Sequence, residues 1–194
     1  MNIVERVKGI ILKPKDEWTV VEQETTSTIS LIVTYLIPLA LIPAIAAFIG
    51  YGVIGVSIFG PSLSWGIKQA IITFVSTFLG VCISAYIIDA LAPNFGSTKD
   101  LRKAMQLVIY SYTPVMLAGA FQAIPALGIF AIVGIYGLYL LYIGIKPMMK
   151  TPDDKVTSYF VVSLLVVIAI YAILATVLAG ILIGRNYGTI PVMQ

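Results

Sequence analysis

The sequence lacks histidine altogether and contains a single cysteine. Without histidine, the chain has no imidazole that could bind a metal, act as a general base or titrate near neutral pH. We therefore expect no metal site, no cofactor and no enzymatic activity. The one cysteine, Cys82, cannot form a disulfide within the chain. It lies in an apolar run, so we interpret it as a packing residue.

Charged residues are also scarce. They make up 11% of the 194 residues, hydrophobic residues make up 59%, and the mean hydropathy is +1.01. A soluble domain carries about 25% charged residues, so this composition indicates a membrane protein. The long apolar runs predict an all-α fold, a polytopic bundle of five transmembrane helices that forms one domain over residues 29–184. The five predicted spans are residues 29–52, 66–91, 101–121, 126–145 and 156–184.

Residues 1–28 precede the bundle and are too polar to cross a membrane. Apolar residues recur at helical spacing from Ile3 to Ile11 with charged residues between them, which predicts an interfacial amphipathic helix. Pro14 ends this helix, and the sequence Pro-Lys-Asp-Glu-Trp then begins another. We expect Trp18 at the level of the lipid headgroups with its N–H in water. Residues 185–194 form a short tail at the other end of the chain.

Basic residues are distributed unevenly between the two sides of the predicted bundle. Ten lysines and arginines lie before the first span, between the second and third, and between the fourth and fifth. Only Lys68 and Arg185 fall on the opposite side. Because basic residues are retained on the cytoplasmic side, this distribution predicts a cytoplasmic N-terminus and a C-terminus on the outer side.

The fourth predicted span has two different faces. Gly134, Gly137 and Gly144 fall within an arc of about 80°, and three tyrosines that begin at Tyr136 lie nearly opposite. A bare glycine stripe lets another helix approach closely, so we expect this face to form the closest helix contact. The expected partner is one of two stripes of small residues, either Ser76, Gly80 and Ser84 or Ala172, Thr176 and Gly180.

Prolines interrupt two of the predicted spans. Pro38 and Pro43 lie in the first span and Pro114 lies in the third. Each proline removes a backbone hydrogen bond and bends its helix. The bends are interpreted either as simple packing features or as hinges.

Asp89 is the only acid within a predicted span, and such a residue is a candidate for function. Tyr110, Tyr112, Tyr142 and Lys146 are predicted to lie at the same level, so the sequence predicts a ligand or ion pathway on the cytoplasmic half. The alternative interpretation is an interfacial acid that pairs with a loop base, beside packed aromatic rings.

The lysines that follow the fourth span are candidates for binding anionic lipid headgroups. They are Lys146, Lys150 and Lys155. The positive-inside rule explains them equally well.

Three segments of the sequence resemble the Yip family of five-span membrane proteins. They are PKDEW, FGSTKDLRKAMQLVIYSYTP and IYGLYLLYIGIKPMMKTPDDK, and the resemblance covers roughly residues 10–184. The family is named for interacting with the Ypt/Rab GTPases of vesicle traffic and has many bacterial and archaeal members. The resemblance implies five helices and a cytoplasmic N-terminus. The chain lacks the long N-terminal region and the Asp-Leu-x-Gly-Pro motif of the eukaryotic branch, so it resembles a short prokaryotic member in a cytoplasmic membrane.

Three classes of function fit these observations. The first is a non-enzymatic protein that binds other membrane proteins, lipids or a second copy of itself, as a scaffold or membrane organiser. The second is a small transporter or channel for ions, protons or lipids that uses the polar residues around Asp89. The third, an intramembrane enzyme, requires a nucleophile–base pair or a metal cluster, and the sequence shows neither. The bilayer is the expected partner, and no nucleic acid is.

Overall fold

The computed structural model describes residues 2–55 and 60–187, and its secondary structure there is helical throughout. Helices α1 and α2 form an N-terminal hairpin. The long helices α3 and α4 follow, the predicted third span consists of α5 and α6, and α7 and α8 complete the chain order. Their bounds are Ile3–Leu12 for α1, Pro14–Gln23 for α2, Thr28–Ile54 for α3, Leu63–Leu91 for α4, Leu101–Ser111 for α5, Thr113–Ala118 for α6, Tyr136–Met149 for α7 and Val156–Tyr187 for α8.

Four stretches of this chain are long and apolar enough to cross a membrane. They are Thr28–Ile54, Leu63–Phe95, Leu101–Ala123 and Ile132–Met149, as found among the described residues. The predicted fifth span lies within α8, which is helical over 32 residues. The all-helical, multi-span architecture is thus present in the structure, and the count of five spans stays a prediction.

The N-terminal hairpin packs against the bundle. The side chain of Asn2 accepts a hydrogen bond from the backbone N–H of Val4 at 3.0 Å and caps α1. Pro14 occupies the first turn of α2, where a missing N–H costs no hydrogen bond. The expectation for Trp18 is wrong: its side chain is only 1% exposed, and its indole nitrogen is buried rather than in water. The interfacial position of the outer face of α1 remains a prediction.

Prolines shape α3 without ending it. A π-helical turn, Ile32–Leu36, comes shortly before Pro38, and the helix continues through Pro43. A π-turn shifts the hydrogen-bond register, which accommodates a residue that has no N–H to donate. A Cβ added to Gly119 would lie 2.5 Å from the Cβ of Pro43, so the first and third spans cross there with almost no space between them.

The third span is divided at Tyr112, between α5 and α6. Pro114 lies in the first turn of α6, where its missing N–H is tolerated. Two 3₁₀ segments, Gly119–Ala123 and Pro125–Ile135, then lead into α7. Whether Pro38, Pro43 and Pro114 act as hinges remains a prediction.

Helix α5 is the centre of the molecule. All residues from Ala104 to Ser111 are buried, because α4 and α7 pack against the helix and side chains of the N-terminal hairpin contact it. Such complete burial places the polar side chain of Gln106 in the core.

The glycine face of α7 packs against the third span and not against either expected stripe. A Cβ on Gly137 would lie 2.6 Å from the carbonyl oxygen of Ser111, and one on Gly144 would lie 2.6 Å from Leu107 and 2.7 Å from Trp18. Gly134 has more room, since its nearest neighbour, Val115, is 3.6 Å away.

The two stripes that were expected as partners have other surroundings. In the second span, Ser76 is exposed, Gly80 is buried and Ser84 lies 3.3 Å from the hydroxyl of Tyr112. In the fifth predicted span, Ala172 is exposed, and the surroundings of Thr176 and Gly180 lie outside the described part of the structure. The predicted partner of the glycine face was wrong, because small residues permit a close helix contact without specifying which helix makes it.

Candidate functional site

A buried ionic cluster closes the N-terminal hairpin and contacts the bundle through one tyrosine ring; we call Arg6, Glu17, Glu24 and Tyr110 the Arg6 centre. The guanidinium of Arg6 is 7% exposed and donates hydrogen bonds to Glu17, at 2.5 Å, and to Glu24. It also lies over the ring of Tyr110, 5.4 Å from the centroid. A buried arginine needs this degree of compensation, because an unpaired charge in a low-dielectric interior is very costly.

The sequence position of Arg6 explains why it is buried. It lies on the same face of α1 as Ile3 and Ile10, and that face packs on the bundle. Glu17 and Glu24 are seven residues apart, two helical turns, so both can reach a guanidinium that lies beside α2. A charge within an apolar helical stripe was the signal in the sequence that could have identified this centre.

Aromatic rings continue the Arg6 centre into the bundle. Tyr110 makes edge-on contacts with Tyr35, at a centroid distance of 5.0 Å, and with Trp18, at 6.4 Å. The hydroxyl of Tyr35 lies 2.9 Å from the hydroxyl of Thr113, so this buried phenol is hydrogen-bonded. The sequence alone did not identify Tyr35 or Thr113, because nothing local marks a tyrosine as facing the interior.

Side chains of the bundle also hold the ends of both hairpin helices. The ammonium of Lys103 donates to the carbonyl oxygens of Val21, Glu22 and Glu24, at 3.3, 2.5 and 3.0 Å. These carbonyls lie at the C-terminus of α2, where a cation is favourable. The hydroxyl of Tyr136 donates to the carbonyl oxygen of Ile11 at 3.0 Å, near the end of α1.

Several polar atoms near the Arg6 centre are buried without a hydrogen-bond partner among the described residues. They include both amide atoms of Gln106, the indole nitrogen of Trp18 and one carboxylate oxygen of Glu24. Gln106 is three residues after Lys103 and four before Tyr110, so it faces the hairpin between them. A buried polar atom that stays without a partner costs about 1–3 kcal/mol, so these atoms mark the Arg6 centre as a candidate site.

The structure does not bring the predicted pathway residues into one pocket. Tyr110 belongs to the Arg6 centre, and Tyr112 contacts Ser84. Lys146 pairs with Asp153 at 2.5 Å rather than with Asp89. Of these five residues, Tyr142 and Lys146 line the same groove in the described part of the chain.

Asp89 is buried near the end of α4. Its side chain is 5% exposed, and one carboxylate oxygen has no hydrogen-bond partner within the described part of the chain. The hydroxyl of Tyr159, from α8, donates to the neighbouring carbonyl of Ile88. Asp89 is therefore covered by α8, which the sequence did not predict.

Two grooves follow one face of α7. The first, which we call the polar groove, has a volume of 480 Å³ and is lined by Lys15, Trp18, Tyr142, Lys146, Asp153 and Val156 among others. The second, the apolar groove, has a volume of 820 Å³ and is lined by Ile11, Ile132, Val133, Ile135, Tyr136 and Tyr139.

These features define a helical, polytopic membrane protein whose N-terminal hairpin, closed by a buried ionic cluster, packs against its bundle. The Yip1 domain matches residues 8–182, and the chain belongs to this family. The resemblance noted in the sequence is thereby confirmed.

The chain is similar to curated proteins of known location. It is 28% identical over 191 residues to the inner membrane protein YohC of Escherichia coli strain K12, a match that covers 93% of this chain and 97% of that protein. The YohC protein of Escherichia coli O6:H1, strain CFT073, gives the same values. No solved structure gives a significant match.

Proposed function

We propose that this protein is a non-enzymatic component of a prokaryotic cytoplasmic membrane that binds other membrane proteins or lipids. The observation that supports this proposal most directly is an open, wholly apolar groove between α3 and α4. It has a volume of 370 Å³ and is lined by Leu41, Ala44, Ile45, Phe48, Ala70, Ile71 and Phe74. An apolar helix or an acyl chain has the shape and chemistry for such a groove.

A second apolar groove between α4 and α8 supports the same proposal. It has a volume of 400 Å³, and its lining includes Cys82, Tyr86 and Ile170. Tyr86 is 66% exposed, so its ring is available to a neighbour in the membrane. Aromatic side chains on exposed surfaces are frequent anchors of protein contacts.

A pair of neighbouring residues provides a matched test. Ile71 and Ile72 are 58% and 54% exposed, yet only Ile71 lines the groove between α3 and α4. A photo-crosslinking residue at position 71 in native membranes is expected to form a defined adduct with a protein, a second copy of this chain or a lipid. The same probe at position 72 is expected to give a weak, nonspecific pattern. Equal patterns at both positions would contradict the proposal.

A small transporter or channel is the second candidate, and the burial of Asp89 is the observation that favours it. A buried carboxylate with an unpartnered oxygen is a feature of proton and ion sites in membranes. Its test is ion and proton flux in proteoliposomes. Flux that requires the protein and is lost in Asp89→Asn, with unchanged thermal stability, would support transport over binding.

A further inference from the structure

The two grooves lie one after the other along the same face of α7, and we call this face the α7 path. Tyr136 and Tyr139 line the apolar groove, and Ile143 and Lys146 line the polar groove. At 100° per residue these four side chains fall within an arc of about 80°. The tip of the N-terminal hairpin borders both grooves, because Ile11 lines the apolar one and Lys15 lines the polar one.

The dimensions and charges along this path fit a phospholipid. Tyr136 and Lys146 are ten residues apart, about 15 Å along the helix, which is about half of the ~30 Å hydrocarbon thickness of a bilayer. The polar groove contains the ammonium groups of Lys15 and Lys146 and the carboxylate of Asp153, a net charge of one positive unit. A phosphodiester carries one negative charge, so the two match.

The existing partner of Lys146 does not prevent such binding. The side chains of Lys146 and Asp153 are 57% and 79% exposed, and ion pairs that exposed contribute little. Tyr142 adds a hydroxyl at the same level, 3.2 Å from that of Thr157. The polar groove thus offers two cations and a hydroxyl donor to a phosphate, and the apolar groove lies further along the same helix.

We propose that this path is a binding site for one anionic phospholipid, with its phosphate between Lys15 and Lys146 and an acyl chain along Tyr139, Tyr136 and Ile132. The inference rests on the proposed function and specifies one lipid site for it. It assigns lipid binding to Lys146 and not to the other two lysines that were candidates for it, Lys150 and Lys155. Lys150 lines a different groove that also contains Glu22 and Asp100, and Lys155 is exposed in the turn before α8.

The lysines are tested by native mass spectrometry of the purified protein with equal amounts of phosphatidylglycerol and phosphatidylcholine that have the same acyl chains. We expect one phosphatidylglycerol to be retained in preference to phosphatidylcholine. The double variant Lys15→Gln/Lys146→Gln is expected to retain about tenfold less, and the control Lys155→Gln should match the parent. Equal retention of both lipids, or equal loss in the control, would overturn the proposal.

The acyl chain is tested by filling the apolar groove. Ile132→Trp should weaken binding of dioleoyl phosphatidylglycerol several-fold and leave that of the dihexanoyl form unchanged. The control Ile129→Trp changes a residue that is 75% exposed and outside the groove lining, so it should affect neither lipid. If inorganic phosphate at millimolar concentration displaces the lipid, the site binds phosphate itself and the proposal is overturned.

A fluorescence measurement does not depend on how the lysine variants fold. The chain has two tryptophans, Trp18 and Trp65, and Trp18 lines the polar groove. In a Trp65→Phe protein, phosphatidylglycerol should shift the emission of Trp18 more than phosphatidylcholine with the same acyl chains, because the headgroup is placed beside this ring, and equal shifts would refute the site. If the lipid results fail while the crosslinks at position 71 persist, only the lipid site is refuted.

Discussion

The guanidinium of Arg6 lies 5.4 Å from the centroid of the Tyr110 ring, and this contact joins the first helix of the chain to the central one. Two carboxylates of the hairpin itself, those of Glu17 and Glu24, pair with the same guanidinium. The ion pairs therefore close the hairpin, and the contact with Tyr110 places this closed, charged cluster against the bundle, where removing one member leaves its partners unpaired.

Arg6→Gln is expected to loosen the hairpin, because it removes the ion pairs that close it and the contact with Tyr110. The change leaves Glu17 and Glu24 without their cation, and because both are partly exposed we expect a loss of about 2–3 kcal/mol, less than for a fully buried pair. The measurement is the thermal midpoint in detergent, together with the rate of proteolysis within residues 2–24. Lys8→Gln, at an exposed position of the same helix, is the control. Indistinguishable behaviour of the two variants would contradict this role of Arg6.

Lys103→Met is expected to loosen only the end of α2. Methionine keeps most of the apolar stem but removes the ammonium that bonds three carbonyl oxygens. Hydrogen bonds to charged groups contribute about 1.5–3 kcal/mol, so amide exchange at residues 21–24 should accelerate at least tenfold. Lys99→Met, in the exposed loop before α5, should leave that exchange unchanged. Protection that persists in Lys103→Met would mean that packing alone holds this helix end.

Two alanine substitutions on α7 and the segment before it test the glycine face. Gly137→Ala places a methyl group 2.6 Å from the carbonyl oxygen of Ser111, so the helices must separate. We expect a destabilisation of about 1–3 kcal/mol, and Gly137→Leu should be worse. At Gly134 the nearest atom is 3.6 Å away, and Gly134→Ala should be tolerated. The thermal midpoints of the variants should rank in that order, and a Gly137→Ala protein that melts like the parent would refute this contact.

The proposed topology has five spans with a cytoplasmic N-terminus. Alkaline phosphatase fused after Gln194 should be active, because that enzyme requires the oxidising outer compartment. A fusion after Lys150 should be inactive, since the connection between α7 and α8 is expected inside. Activity at Lys150 together with inactivity at Gln194 would reverse the orientation. Activity at both positions would reduce the count of spans.

The sequence predicted the helices better than their contacts. The second span was predicted at residues 66–91, and its helix, α4, is Leu63–Leu91, because a long apolar run ends where polar residues begin. A bend was predicted at Pro114, and the third span is divided beside it, at Tyr112. The end of the fourth span was placed too early, since α7 passes through Pro147 to Met149. A proline in the middle of a helix disrupts it more than one near its C-terminus.

The contacts depended on pairings that are remote in the sequence. Arg6 and Tyr110 are more than a hundred residues apart, and no local pattern relates them. Asp89 was expected beside Lys146, but α8 covers it and Lys146 pairs with Asp153. The depth of a residue in the membrane can be predicted from the hydropathy and charge of the sequence around it. The angular position of each helix around its axis follows from packing, which a single sequence does not specify.

The attachment of the hairpin also has a consequence for biosynthesis. Gln23 ends α2, and its neighbour α7 begins at Tyr136, about 110 residues later. At translation rates of about 5–20 residues per second, the hairpin leaves the ribosome roughly 5–20 s before its binding surface is complete. For much of that interval the ion pairs with Glu17 and Glu24 form without the rest of the binding surface. The N-terminus is therefore made first and docks only after α7 has followed, so a nascent chain arrested before Tyr136 should carry an undocked, protease-sensitive hairpin.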